Sequence, residues 1–151
     1  MAKNTPATEL NEDLQGLLQK ERFITLATVD HESGAPSVSA ISWVYAADAG
    51  TIKFAVDHRS RIIENINKND AVVFNLIGAG SCFSISGKAS VESERMEEVP
   101  IKLAKVSVSV SEVRDVMFYG AKIVTEPAYD KTYDEEAAAK LDKQVMDALK
   151  A

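Results

Sequence analysis

Apolar positions change period several times along the chain. Leu10, Leu14, Leu17 and Leu18 recur at i, i+4, i+7 and i+8, which predicts an amphipathic helix capped by Thr8 and ending near Glu21. Gly16 costs that helix up to about 1 kcal/mol, so packing must hold it. Phe23 to Asp30 is rich in β-branched residues and reads as a strand; His31 to Gly34 reads as a turn, and Pro36 opens the next strand. That strand, Ser37 to Tyr45, carries Ser39, Ile41, Trp43 and Tyr45 on one face and Val38, Ala40, Ser42 and Val44 on the other. A hairpin-type turn over 47–50 leads into Thr51–Ile66. Here Ile52, Phe54 and Val56 alternate with Lys53, Ala55 and Asp57, the period of a half-buried strand. The period then becomes helical: Ile62, Ile63 and Ile66 form a stripe, leaving Arg61, Glu64 and Lys68 for water.

Ala71 to Ile77 is apolar on both faces, as in a central strand. Gly78 to Gly80 makes a tight connection to a strand over Cys82–Val91, in which Gly87 signals a bulge or a close backbone approach. Val106, Val108 and Val110 alternate with Lys105, Ser107, Ser109 and Ser111, a strand with one wet face. Val116 to Val124 reads as the last strand. Pro127 breaks the chain, and Thr132 to Glu135 fits a capping box. The terminal helix over 132–150 is lined by Ala137, Leu141, Val145 and Ala148. Short strands in succession, joined by links that favour hairpins over crossovers, predict a mainly β fold: a small antiparallel barrel with flanking helices. One domain over 1–151 is expected, with residues 1–7 a loose lead-in.

Charge narrows the function. The formal net charge is −6, which argues against non-specific binding to nucleic acid or anionic membranes. With Cys82 alone no intrachain disulfide can form, and two histidines and one cysteine show no metal-ligand spacing. No apolar run approaches the roughly 20 residues of a membrane span, and the polar N-terminus lacks a signal-peptide core, so a cytoplasmic protein is expected. Glu92, Glu94, Glu97 and Glu98 read as a solvated run. The candidate chemistry is Asp57-His58-Arg59-Ser60-Arg61, where a strand hands over to a helix. Two readings are open. Ser60 caps the helix and the arginines are solvated, or the free N–H groups, the hydroxyl and the guanidiniums hold a phosphate. Likewise Ser39 and Ser42 either face water or let a flat ligand approach the backbone.

The order LATVD (26–30), G-x-P (34–36), FAVDHRSR (54–61) and ENINKN (64–69) resembles the pyridoxamine 5′-phosphate oxidase-like family of FMN-binding split barrels, over about residues 10 to 92. MFYGAKI and the terminal helix resemble a small-protein branch of it. The resemblance implies a six-stranded split barrel, a homodimer, and FMN at the dimer interface. It places Ser39, Ala40, Ile41, Ser42 and Trp43 along the flavin ring, Ala55 and Val56 beside it, Ser60 and Arg61 on the phosphate, and a contact near Cys82 across the interface. Two departures stand out: the oxidase has arginine at Ser39 and lysine at Ile62. His58 and Arg59 are the nearest replacement charges. The oxidase's C-terminal substrate residues are not recognisable, so pyridoxamine phosphate oxidation is not expected. The implied function is an FMN-dependent oxidoreductase acting on an unidentified small substrate or a nicotinamide reductant. The alternative is a non-catalytic protein that binds flavin, haem or a deazaflavin, or a structural dimer with an empty cleft. The two-faced strand from Ser37 to Tyr45, bearing Trp43 and Tyr45, offers more apolar surface than one small barrel hides, which also predicts a homodimer.

Overall fold

The computed structural model describes residues 6–151. Three helices and seven strands follow in the order α1 (Glu12–Leu17), β1 (Ile24–Val29), β2 (Pro36–Ile41), β3 (Val44–Asp48), β4 (Thr51–Asp57), α2 (Arg61–Lys68), β5 (Ala71–Gly78), β6 (Ser81–Ser93), β7 (Leu103–Asp115) and α3 (Glu135–Lys150). All pairings are antiparallel, in the order β2-β1-β5-β6-β7-β4-β3. The two edge strands, β2 and β3, are consecutive in the chain, so the sheet curls back on itself. Arg22 N–H donates to Ser42 C=O (3.1 Å) on one side of the join, and Ala55 N–H donates to Trp43 C=O (3.0 Å) on the other. This is the split barrel that the sequence predicts, with seven strands rather than six. The predicted Ser37–Tyr45 strand breaks at Ser42-Trp43, pairing with β1 before the break and with β4 after it, while the strand predicted over 116–124 does not form.

The barrel interior is filled by Ile24, Leu26, Ile52, Phe54, Phe74, Leu76, Ile85 and Val106, with the rings of Phe54 and Phe74 edge to face at 5.9 Å. Leu10, Leu14 and Leu18 of the α1 region plug one end. The α2 stripe of Ile62, Ile63 and Ile66 covers another part of the core, as the helical period predicts. A second cluster lies outside the barrel. There α3 sets Val145, Met146, Ala148 and Leu149 against Ala55, Met96, Val99 and Leu103, with Trp43 and Tyr45 packed alongside. The expected wet face of β7 is therefore dry near its start, and Lys105 is buried beneath α3.

Several local features differ from expectation. The first helix begins after Asn11, whose Oδ1 accepts from Leu14 N (2.9 Å), not at Thr8. Ala7 is held in a bridge to Val113 and so is no loose lead-in; residues 1–5 lie outside the described residues. The helix stops at Leu17, and Leu18 C=O turns to Ala46 N (2.9 Å). The predicted strand over 116–124 is irregular. Val116 N–H takes Cys82 C=O (2.8 Å), one residue from where β6 begins, so the following residues have no ladder to join. The last helix is capped by Asp134, accepting from Ala137 N (2.9 Å), rather than by Thr132.

Gly87 meets both readings of its sequence position. It sits at a register shift, and a Cβ built there would lie 2.5 Å from the Ser109 carbonyl oxygen.

Candidate functional site

The turn between β4 and α2 is built by its own short polar side chains. Asp57 Oδ1 accepts from Arg59 N (2.8 Å), Ser60 N donates to Asp57 C=O (2.9 Å), and Ser60 Oγ accepts from Ile62 N (3.1 Å). That is an Asx turn leading into an N-cap. The Arg59 N–H, foremost, holds the Asp57 carboxyl below its ordinary range. Arg59 is 80% exposed and only loosely paired with Asp57, at 3.6 Å.

Arg61 is not free. Its Nε donates to Asp30 Oδ1 and its Nη2 to Glu32 Oε1, both at 2.6 Å. Asp30 also accepts from Ser33 N (2.9 Å) and Ser33 Oγ (3.0 Å). Its carboxyl is consequently held far below the usual carboxylate range, by Arg61 first and Ser33 second. Glu32 is lowered by the same guanidinium, and Arg61 is raised in turn by Asp30 and then Glu32.

Behind this surface pair lies a buried one. Asn65, 1% exposed, donates from Nδ2 to Thr28 Oγ1 (2.9 Å) and accepts at Oδ1 from His31 N (2.8 Å). Asn65 therefore ties α2 to both β1 and the β1–β2 turn that carries Asp30 and Glu32. Its place on the buried side of α2, within the Ile62-Ile63-Ile66 stripe, was the signal available in the sequence.

At the other end of β2, Ala40, Ile41 and Ser42 line a recess of about 300 Å³ whose opposite wall is the segment from Tyr129 to Tyr133. Because Ala55 is bonded to Trp43, Val56 and Asp57 lead from this hinge directly to the Ser60 turn.

The family model of pyridoxamine 5′-phosphate oxidase matches residues 10–146. The chain belongs to the pyridoxamine 5′-phosphate oxidase family. Solved members of the same fold are distant in sequence. A Lactobacillus delbrueckii protein named after pyridoxamine 5′-phosphate oxidase superposes with a TM-score of 0.62 at 20% identity, over 74% of this chain and 98% of that one. Group A Streptococcus HupZ gives 0.58 at 15%, over 76% and 99%. An F420 reductase gives 0.58 at 17%, over 69% and 98%. No curated protein sequence matches the chain.

Within the family frame the expected ligand residues divide into groups. Ala40, Ile41 and Ser42 border the recess, and Ser39 lies half-buried one residue earlier, paired with Leu26 of β1. Arg59, Ser60 and Arg61 form the turn. Trp43 points elsewhere: its Nε1 donates to Asp142 Oδ1 on α3 (2.8 Å). Ala55 and Val56 are buried, at 2% and 8% exposed, Ala55 beneath α3 and Val56 in the barrel core. His58 borders a different recess, of about 330 Å³, with Asn67 and Arg95. Cys82 lies on β6 beside Asn75, with Sγ 3.3 Å from Asn75 Oδ1. The sequence reading missed Asn65, the carboxylates that engage Arg61, and the Tyr129–Tyr133 wall. It also took Glu92 as solvated, whereas Glu92 bridges Lys53 (3.0 Å) and Lys105 (3.2 Å). Among the described residues no helix is long and apolar enough to cross a membrane.

Proposed function

We propose that this protein binds FMN and acts as an oxidoreductase on a small substrate. One observation carries the reading: the strand bonded at Ala55 to the hinge beside a recess of small residues, Ala40 and Ser42, ends in a capped helix N-terminus with an arginine on each side of its cap. Small residues admit a flat ring against the backbone, and a helix N-terminus with guanidiniums suits a phosphate. Ser60, Arg59 and Arg61 would hold the phosphate end; Ala40, Ile41 and Ser42 would border the ring. The flavin supplies the redox chemistry, and the protein supplies binding, orientation and exclusion of water. A solved protein of the same fold, named F420 reductase, supports redox use of this fold.

A second reading has its own support. Both arms of Arg61 are engaged by Asp30 and Glu32, which weakens its grip on a phosphate and favours binding without turnover, or a ligand other than FMN. The absorption spectrum of the purified protein separates the cases. A flavin band bleached by NADH or NADPH supports the oxidoreductase. A flavin band that persists supports a carrier, a Soret or deazaflavin band redirects the ligand, and no flavin band on the protein after FMN addition and removal of unbound FMN refutes the flavin reading.

The homodimer is part of the same proposal, on changed grounds. Trp43 and Tyr45, its original motive, are covered by α3 of their own chain. The exposed apolar surface lies elsewhere: Val38 is 68% exposed on the edge strand β2, and Phe118, Tyr119 and Val124 are 70%, 98% and 84% exposed. Apolar groups on this scale mark interaction surfaces. Light scattering at micromolar concentration should give twice 16.4 kDa; a mass near 16.4 kDa alone would refute it.

A further inference from the structure

After β7 the chain runs back across the molecule before entering α3, and its course is set by polar contacts. Ile123 N–H donates to Gly80 C=O (2.8 Å), Arg22 Nη2 to Glu126 (2.7 Å), the Tyr129 hydroxyl to the Glu21 carboxylate, and Lys131 Nζ to Asp142 Oδ1 (2.9 Å). The last carboxylate has a second partner, Trp43 Nε1. Trp43 directly follows Ser42, so Asp142 fastens both the hinge that floors the recess and the segment that faces it. Asp142 thus ties floor and wall to the same helix, beside the Tyr129 and Arg22 contacts. A second recess, of about 510 Å³, adjoins the first and shares Phe23, Tyr129, Asp130 and Lys131 with it.

Two rings on this segment are incompletely buried. Tyr129 is 41% exposed and Tyr133 50% exposed, although both border the recess. Lys131 Nζ sits 5.8 Å from the centre of the Tyr129 ring, which stiffens that ring's setting. Aromatic side chains have few rotatable bonds, so they offer contact area at low entropic cost. A recess of this volume is at the small end of ligand sites, the size for one flat ring system and not for a whole nucleotide.

We propose that Tyr129 and Tyr133 form the second wall of the ring site and clamp a flat aromatic ring against Ala40–Ser42. This rests on the flavin reading above and adds to it two ligand-contacting residues, together with Asp142 and Lys131 as positioning residues. The wall contacts the ring, and the phosphate end lies at the Ser60 turn. Wall substitutions should therefore weaken FMN and riboflavin by the same factor.

The test is a fluorescence titration of both flavins against wild type, Tyr133→Leu and Tyr133→Phe, with Tyr129→Leu as a second site. Tyr133→Leu should weaken both flavins about three- to tenfold, the range of one aromatic contact. It should also reduce the quenching of bound flavin, and Tyr133→Phe should restore both. The FMN-to-riboflavin ratio should stay at the wild-type value throughout. Unchanged affinity and quenching in both leucine variants, with wild type binding normally, would overturn the inference and leave the flavin reading standing. So would a loss confined to FMN. If wild type quenches neither flavin, the flavin reading fails and the inference falls with it.

Discussion

Replacing Asn65 by alanine should be the most informative single change in the α2 region. The side chain is 1% exposed and makes bonds of 2.9 Å to Thr28 Oγ1 and 2.8 Å from His31 N; His31 Nδ1 also approaches its Oδ1 at 2.8 Å. Thr28 is itself only 4% exposed. Each hydrogen bond contributes about 1 kcal/mol net, and a buried group left without a partner costs about 1–3 kcal/mol. Water can reach the half-buried His31 more easily than Thr28, so one full penalty is expected and not two. The sum is a loss of roughly 2–4 kcal/mol, or about 5–15 °C in Tm for a domain of this size.

Urea denaturation followed by the fluorescence of Trp43, the single tryptophan, measures this directly. The m-value should stay constant, because the change is local. Asn65→Asp separates the contributions: it keeps the acceptor for His31 N but removes the Nδ2 donor and buries a charge, so it should be at least as destabilising as alanine. A loss below about 0.5 kcal/mol for Asn65→Ala would refute the claim that this side chain ties α2 to β1.

Three further changes test other parts of the structure. Gly87→Ala places a methyl group 2.5 Å from the Ser109 carbonyl oxygen and 2.6 Å from Val108 Cγ1, so it should destabilise by about 1–3 kcal/mol; an unchanged urea midpoint would contradict that contact. Lys105→Met keeps the buried stem but removes donors to Ala148 O (3.0 Å) and Ala151 O (3.1 Å) and one partner of Glu92, so the end of α3 should exchange its amide hydrogens faster, with a stability loss of about 2–3 kcal/mol. Glu21 is raised by burial and then by Asp142, against Lys131. A raised carboxyl adds stability below its unfolded value, near 4.3, and loses it as pH rises through the folded value. Glu21→Gln should therefore match wild type near pH 4 and gain on it as pH rises; a difference that stays constant from pH 4 to 8 would refute this.

The hydrophobic pattern revealed the elements wherever burial was one-sided and local. The alternation of Ile52, Phe54 and Val56 and the stripe of Ile62, Ile63 and Ile66 each report a face that meets the core, and both are realised. Failure came where a long-range partner decided the outcome. Nothing in Ser37–Tyr45 shows that one half pairs with β1 and the other with β4, because either pairing suits the same alternation. Val116–Val124 has a strand's composition but no strand beside it once β6 has begun at Ser81. The valines of β7 looked half-wet because α3, which dries the other face, is distant in sequence. The site shows the same division. The Ser60 cap is local chemistry and was legible, as was the turn that presents the arginines. The partners of Arg61 lie 31 and 29 residues away and were not.

Those partners bear on the proposed phosphate site. A guanidinium facing water meets a phosphate by giving up only solvent, whereas Arg61 must exchange at least one carboxylate. The two are unequal. Asp30 is 12% exposed in its side chain and receives additional bonds from Ser33; Glu32 is 70% exposed, and among the described residues its carboxylate is bonded by Arg61 alone. Glu32 is thus the arm that can be exchanged, while Asp30 keeps the guanidinium aimed beside the Ser60 cap. An arginine held on one side and released on the other is oriented before the ligand arrives, which lowers the entropy lost on binding. Repulsion from Glu32 in turn lowers the affinity. On the proposed reading, Arg59, whose side chain is 80% exposed and only loosely paired with Asp57, is the charge on the turn that would take up a phosphate without displacing a close partner. Under the proposed flavin reading, this balance would make the turn selective for an anion but weak in holding it, so the cofactor should exchange readily.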